Sequence, residues 1–132
     1  MKKLPKLKNR KKLAWSLFSE WTRRKWADAN GFITCISCGA KVHWKEANAS
    51  HWRHGHSVKS FMMEENVNPS CVKCNLYLSG NLGEYTLWML NKYGENTINA
   101  IRAAGREIYN PSRQELENLI IEYKTKLESL NV

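Results

Sequence analysis

Four cysteines in two matching pairs, Cys35-Ile-Ser-Cys38 and Cys71-Val-Lys-Cys74, are the residues of this chain best suited to hold a metal. Each Cys-x-x-Cys turn offers two thiolates to one ion, and two turns complete a tetrahedral zinc site with Zn–S distances of about 2.3 Å. Gly39, directly after Cys38, suits a knuckle turn that needs positive φ. Two disulfides or buried free thiols are the competing uses. A disulfide framework fits poorly with a basic chain read as cytoplasmic, and a thioredoxin-like motif needs one such pair rather than two. A four-thiolate site is closed, so its zinc holds the fold and performs no chemistry. A simple zinc ribbon leaves the long interval from Gly39 to Ser70 unexplained.

That interval carries Ser50-His51-Trp52-Arg53-His54-Gly55-His56 and Asn66, and Asn75 follows directly on Cys74. These are residue types that phosphodiester hydrolysis requires: a base beside the attacking water, a metal on the phosphate and leaving oxygens, and a cation for developing charge. His51 is the candidate base, since neutral imidazole accepts a proton near neutral pH. Asn75 offers a hard amide oxygen suited to catalytic Mg²⁺ or Mn²⁺, with His54 and His56 as further candidate ligands. Arg53, two residues beyond His51, would share its face of a strand and pair with phosphate. Asn66 is assigned to ordering the loop. Taken singly, each has a plainer use: histidines fill surfaces and cores, three of them close together can bind zinc, and asparagines cap helices and make turns.

The combination resembles the His-Asn-His pattern of HNH (ββα-metal) nucleases, many of which carry zinc pairs flanking the ββα unit. A closer resemblance is to the NinG/Rap recombination proteins of lambda-like phages. It rests on Cys35-Ile-Ser-Cys38-Gly39, Ala49-Ser50-His51-Trp52-Arg53, the run from Glu65 through Asn75, and Leu78-Ser79-Gly80-Asn81-Leu82-Gly83-Glu84-Tyr85. It covers Cys35 to Gly94 well and the flanking helices loosely. The resemblance implies a structure-specific endonuclease acting on branched recombination intermediates such as Holliday junctions or D-loops. Ser50 stands where many HNH nucleases place an aspartate, which leaves Asn75 as the firm ligand of the catalytic metal. A non-catalytic zinc-knuckle DNA-binding protein and a sequence-preferring HNH homing or restriction nuclease are the rival readings.

The elements that must position these residues give an α+β chain, mainly helical, with a ββα-metal core stapled by zinc. The spacing predicts a basic flexible arm over 1–12, a basic helix over 13–31, the nuclease core over 32–94 and C-terminal helices over 95–132. Leu13, Leu17 and Trp21 form the first helix's apolar stripe, closed by Asn30-Gly31. A helix begins at Cys71, with Leu76, Tyr85, Leu87, Trp88 and Leu90 as its apolar material and a break at Ser79-Gly80-Asn81. A short helix spans Glu95–Ala104. The last helix opens on Asn110-Pro111-Ser112, with Asn110 as cap and Pro111 in its first turn. Its stripe of Leu116, Leu119 or Ile120, Tyr123, Leu127 and Leu130 serves either packing or a homodimer.

The formal net charge is +9, and residues 1–30 hold ten Lys/Arg against Glu20 and Asp28, so +8 of it lies there. Such asymmetry points to a polyanion partner, here DNA, with Lys8, Arg10, Lys11, Lys12, Arg23, Arg24, Lys25 and Lys73 as its contacts. A solvated lysine tail is the plain alternative. No apolar run approaches the roughly 20 residues of a membrane span, and no h-region follows the basic start. The location expected is therefore cytoplasmic, the bacterial host's if the gene is a phage's.

Overall fold

The longest helix, α1 (Leu7–Lys25), starts well inside the segment expected to be a flexible arm. The computed structural model describes residues 7–130, apart from the side chains of residues 7 and 8. The first six residues of the predicted arm and the Lys8 side chain therefore lie outside the described residues. The reason for the early start is a row four residues apart. Arg10, Ala14, Phe18 and Thr22 are all at most 1% exposed, and i, i+4 positions share one helix face. Arg10 continues that row into the basic segment. It can be buried because its Nη2 lies 3.0 Å from the Glu117 carboxylate. The expected stripe of Leu13, Leu17 and Trp21 is only half-buried, on the flank of this row.

Beyond α1, Asp28 accepts backbone N–H groups from Asn30 and Phe32 at 2.9 and 3.0 Å and turns the chain. Gly31 has φ +86°, and a Cβ there would lie 2.5 Å from His43 Nε2. Two antiparallel hairpins follow. Strands β1 (Phe32–Thr34) and β2 (Lys41–His43) pair Ile33 with Val42 and enclose the first Cys-x-x-Cys turn. Strands β3 (Asn48–His51) and β4 (Val67–Ser70) pair Asn48 with Ser70 and His51 with Val67. A loop with 3₁₀ turns at Lys59–Met62 and Glu64–Asn66 joins β3 to β4.

After β4 the expected helix from Cys71 is replaced by a five-residue π-helical turn, Lys73–Tyr77. The predicted break is present: Ser79, Gly80 and Asn81 all have positive φ. Helix α2 (Leu82–Lys92) then runs on, burying Tyr85 and Met89. Leu76, Leu87 and Leu90, expected on its apolar face, are 64, 62 and 45% exposed. Leu76 falls in the π-turn, and within α2 the core takes the Tyr85–Met89 row, which leaves Leu87 and Leu90 off the buried face.

Helix α3 (Glu95–Ala104) has the expected bounds and buries Ile98 and Ile101 against Tyr85, Met89 and Ile36. Helix α4 (Arg113–Glu128) is capped by Ser112 rather than Asn110, so Pro111 precedes the cap instead of following it. The Ser112 hydroxyl accepts from Glu115 N–H, and the Glu115 carboxylate accepts from Ser112 N–H. This reciprocal box satisfies two otherwise orphaned donors, which Asn110 could not do alone. Leu116 and Tyr123 of α4 are buried, and Tyr123 packs edge-on against Phe18 of α1. That part of the stripe is spent within the chain. The result is a mixed α+β fold, mainly helical, and among the described residues no helix is long and apolar enough to cross a membrane.

Candidate functional site

The Sγ atoms of Cys35, Cys38, Cys71 and Cys74 lie within 4.8 Å of one another, with no disulfide among them. Gly39, at φ +80°, donates its N–H to Cys35 O at 3.0 Å and closes the first knuckle. Burial raises the Cys35 thiol, but backbone N–H groups of Cys38, Cys71 and Ser37 outweigh it and bring it down to about 7. Asn81 Nδ2 donates to Cys74 Sγ at 3.5 Å. Four sulfurs converging with amide donors around them suit one soft, tetrahedral ion and fit structural zinc.

His51 ends β3, and its ring packs in a three-ring cluster with Trp15 and Phe61, whose own centroids lie 5.0 Å apart. Trp15 of α1 lies nearly parallel to it, with centroids 5.0 Å apart and planes 14° from parallel. Phe61 stacks at 4.9 Å and 15°. The Phe61 carbonyl oxygen lies 2.8 Å from His51 Nε2. A carbonyl only accepts, so Nε2 carries the proton and the lone pair of the neutral ring lies on Nδ1. Burial holds His51 below the usual histidine range, with charge on His54 and His56 acting the same way and the Phe61 carbonyl opposing.

Ser50, 1% exposed, donates from Oγ to Asn75 Oδ1 at 2.9 Å. The hydroxyl fixes the direction of the amide and leaves its oxygen a second lone pair. Asn75 is half-buried in the π-turn. Helix α2 secures the strand behind these residues. Tyr85 Oη donates to Ser50 O at 2.7 Å, and Trp52 Nε1 donates to Thr86 Oγ1 at 2.9 Å. Asn68, paired across the ladder with Ser50, donates to Tyr85 Oη at 3.2 Å.

Asn66 is fully buried and spans the β3–β4 loop. Its Nδ2 donates to the carbonyls of Ser60 and Arg53 at 2.9 and 3.0 Å, and its Oδ1 accepts Arg53 N–H at 2.8 Å. Arg53 is not on the strand, because β3 stops at His51. Its expected alignment on the His51 face is therefore corrected. The guanidinium lies instead on Gly105 at the end of α3, with Nη2 3.5 Å from Gly105 O. A Cβ on Gly105 would fall 1.7 Å from Arg53 Nε. His54 comes to 6.2 Å from His51, centroid to centroid, and His56 to 5.3 Å from Phe61. Among the described residues the four cysteines are the one group of three or more His, Cys, Asp or Glu with converging ligand atoms.

The predicted DNA contacts divide. Lys11, Lys12 and Lys73 are exposed. Arg10 is not available, being buried against Glu117 as described. Arg23 Nη1 donates to Trp44 O at 3.1 Å, tying α1 to the turn after β2, and Arg24 pairs with Glu20 at 3.0 Å. Lys25 Nζ sits 4.1 Å from the Trp21 ring centroid. These three are half-buried and hold structure with charges that the sequence alone presents as a free basic face.

Sequence reasoning missed Trp15, Phe61, Ser50's hydrogen bond and Tyr85. Nothing in the sequence local to Trp15 or Phe61 signals a histidine neighbour. Tyr85 sits inside the Leu-Ser-Gly-Asn-Leu-Gly-Glu-Tyr string, which was the available hint.

A family model described as Bacteriophage Lambda NinG protein matches residues 1–132. The chain is 30% identical over 135 residues to Protein ninG of Escherichia phage 933W, covering 95% of this chain and 65% of that protein. Identity is also 30% to Protein ninG of Escherichia phage lambda and of Salmonella phage P22, with 95% of this chain and 64% of each relative covered. The chain thus spans a little under two thirds of these relatives' length. No solved structure matches it.

Proposed function

The chain belongs to the NinG family, and on that premise we propose that it is a divalent-metal-dependent DNA endonuclease of the HNH kind acting on branched DNA. The observation that carries the reading is the His51 setting: a ring packed against Trp15 and Phe61, with Nε2 donating to the Phe61 carbonyl and Nδ1 left as acceptor. The strand–strand–helix order of β3, β4 and α2, interrupted by the π-turn, supports the HNH assignment.

His51 Nδ1 takes the proton of the attacking water, and its lowered proton affinity keeps the ring neutral and competent near neutral pH. Asn75 Oδ1, oriented by Ser50, would hold Mg²⁺ or Mn²⁺, with water as its other ligands and His54 or His56 as candidate supplements. When bound, that ion supplies charge stabilisation at the phosphate and the leaving 3′ oxygen. Lys11, Lys12 and Lys73 hold flanking phosphates, which makes affinity fall steeply with salt.

Cleavage of plasmid and of linear, flapped and four-way DNA with Mg²⁺ or Mn²⁺ tests the reading. His51→Ala should slow cutting by about 10²–10⁴-fold. A His51→Ala protein that cuts as fast as the parent overturns the base assignment. Binding with no cleavage under any metal favours the non-catalytic zinc-knuckle alternative.

A further inference from the structure

Beside the His51 stack lies a cavity of about 220 Å³, bounded by α1, the segment 56–62, the segment 109–111 and α4. Its walls are largely apolar, built from Val58, Phe61, Met62, Tyr109 and Leu119. Lys11, His56 and Lys59 also line it, and no carboxylate does. Lys59 is paired with Glu107 at its edge. Phe61 belongs to both places, since the side chain stacked on His51 also lines the cavity.

We propose that this cavity receives the base of an unpaired nucleotide of the DNA substrate, with Lys11 and His56 at its phosphates. Aromatic and apolar walls take any base by its π-face, while the basic, carboxylate-free lining accepts the negative backbone. A base stacked and paired inside a duplex cannot enter such a recess, whereas an unpaired one can do so without first being extruded. The cavity therefore favours DNA whose pairing is already broken beside the cleaved strand. This deepens the nuclease reading by naming the feature of branched DNA that is recognised, and it places that feature one aromatic ring from the base His51.

The test reads binding without hydrolysis. Zinc-loaded protein, with no added Mg²⁺ or Mn²⁺, is titrated with two labelled duplexes that differ only in whether one 2-aminopurine is paired or extrahelical. The extrahelical probe should bind roughly tenfold more tightly, within the range for one base stacked on an aromatic face, and its fluorescence should be quenched. Asn110→Trp fills the mouth from an exposed position, and Tyr109→Leu removes an aromatic wall; each should bring the affinity ratio close to one, with folding checked by circular dichroism. A ratio near one in the parent, or a ratio unchanged in both variants, overturns the proposal. So does sedimentation showing that Asn110→Trp disrupts self-association while the DNA ratio stands, which would make the cavity a contact between copies. Failure of the nuclease reading is seen separately, in cleavage by His51→Ala, because the binding ratio requires no catalysis.

Discussion

The β3–β4 hairpin leads into the four-cysteine cluster at one end, through Cys71, and carries His51 at the other, and the two ends are held by different means. At the Asn48–Ser70 end the chain runs directly into Cys71, and four ligands arrive as two local turns. Each turn is shaped by its own few residues, and a single ion would supply the long-range link. At the His51–Val67 end, among the described residues, no comparable cluster of thiol, imidazole or carboxylate ligands converges. His51 is held by Trp15 from α1, by both the ring and the carbonyl of Phe61, and through a loop pinned by Asn66. A site closed by one ion should fail as a unit. A site assembled from many partners should degrade by steps.

Removing zinc is the harshest test of this contrast. Apparent binding free energies of structural zinc in small fingers are about 10–16 kcal/mol at neutral pH, and much of that is folding energy. Chelation, or Cys71→Ser, should lower the melting temperature more than any single substitution at the His51 end and abolish a single cooperative transition. Metal analysis of the parent should find about one equivalent of zinc. A chelated protein that melts as the parent does would show that the four thiols are packed without need of an ion. The ends of the hairpin would then not differ as argued.

At the other end, Asn66→Ala should have the largest effect. It removes two donors from the carbonyls of Ser60 and Arg53 and one acceptor from Arg53 N–H, inside a fully buried position. Each buried group left unpaired costs about 1–3 kcal/mol, with partial relief where water can enter. A loss of about 3 kcal/mol by urea unfolding is expected, with the transition still cooperative and zinc still bound. Loss of zinc in this variant would show that the two ends are one unit. A change below about 1 kcal/mol would mean that the loop is held elsewhere.

The same contrast explains what is legible in the sequence. Two Cys-x-x-Cys pairs specify their site by residue type and spacing, so the metal cluster can be read directly. His51, Asn66 and Asn75 can be singled out by type and order. Their partners cannot, because Trp15 and Phe61 act through contacts that no short-range pattern encodes. Arg53 departs from its expected place because strand periodicity does not extend past the point where β3 stops. Leu76 departs because it falls in the π-turn, and Leu87 and Leu90 depart because the core takes the Tyr85–Met89 row of α2. Arg10 is misleading because a buried arginine with a carboxylate partner looks, in sequence, like any other member of a basic arm. The helix bounds at Glu95–Ala104 are readable because Gly94 and Gly105 punctuate both ends.

The smallest effect in free energy is also the one most specific to the His51 end. Burial beside the Trp15 and Phe61 rings lowers the proton affinity of His51 in the folded chain, while the unfolded chain returns it to the ordinary histidine value of 6.5. The unfolded state therefore binds the proton first as the solution is acidified. The stability contributed by neutral His51 is complete above that value and is lost as pH falls through the lower, folded one. Trp15→Ala removes one of the two packed rings and lets water reach the imidazole, so the His51 midpoint followed by NMR should rise toward the ordinary value. Trp15→Phe keeps an aromatic face and should keep most of the depression. The acid limb of the stability curve should become shallower in Trp15→Ala and stay near the parent in Trp15→Phe. A parent midpoint at or above the ordinary value, or one indifferent to Trp15→Ala, would mean that the aromatic cluster does not govern this histidine. The same titration repeated on zinc-free protein would sharpen the comparison, because a midpoint that survives zinc loss shows the His51 end standing without the other.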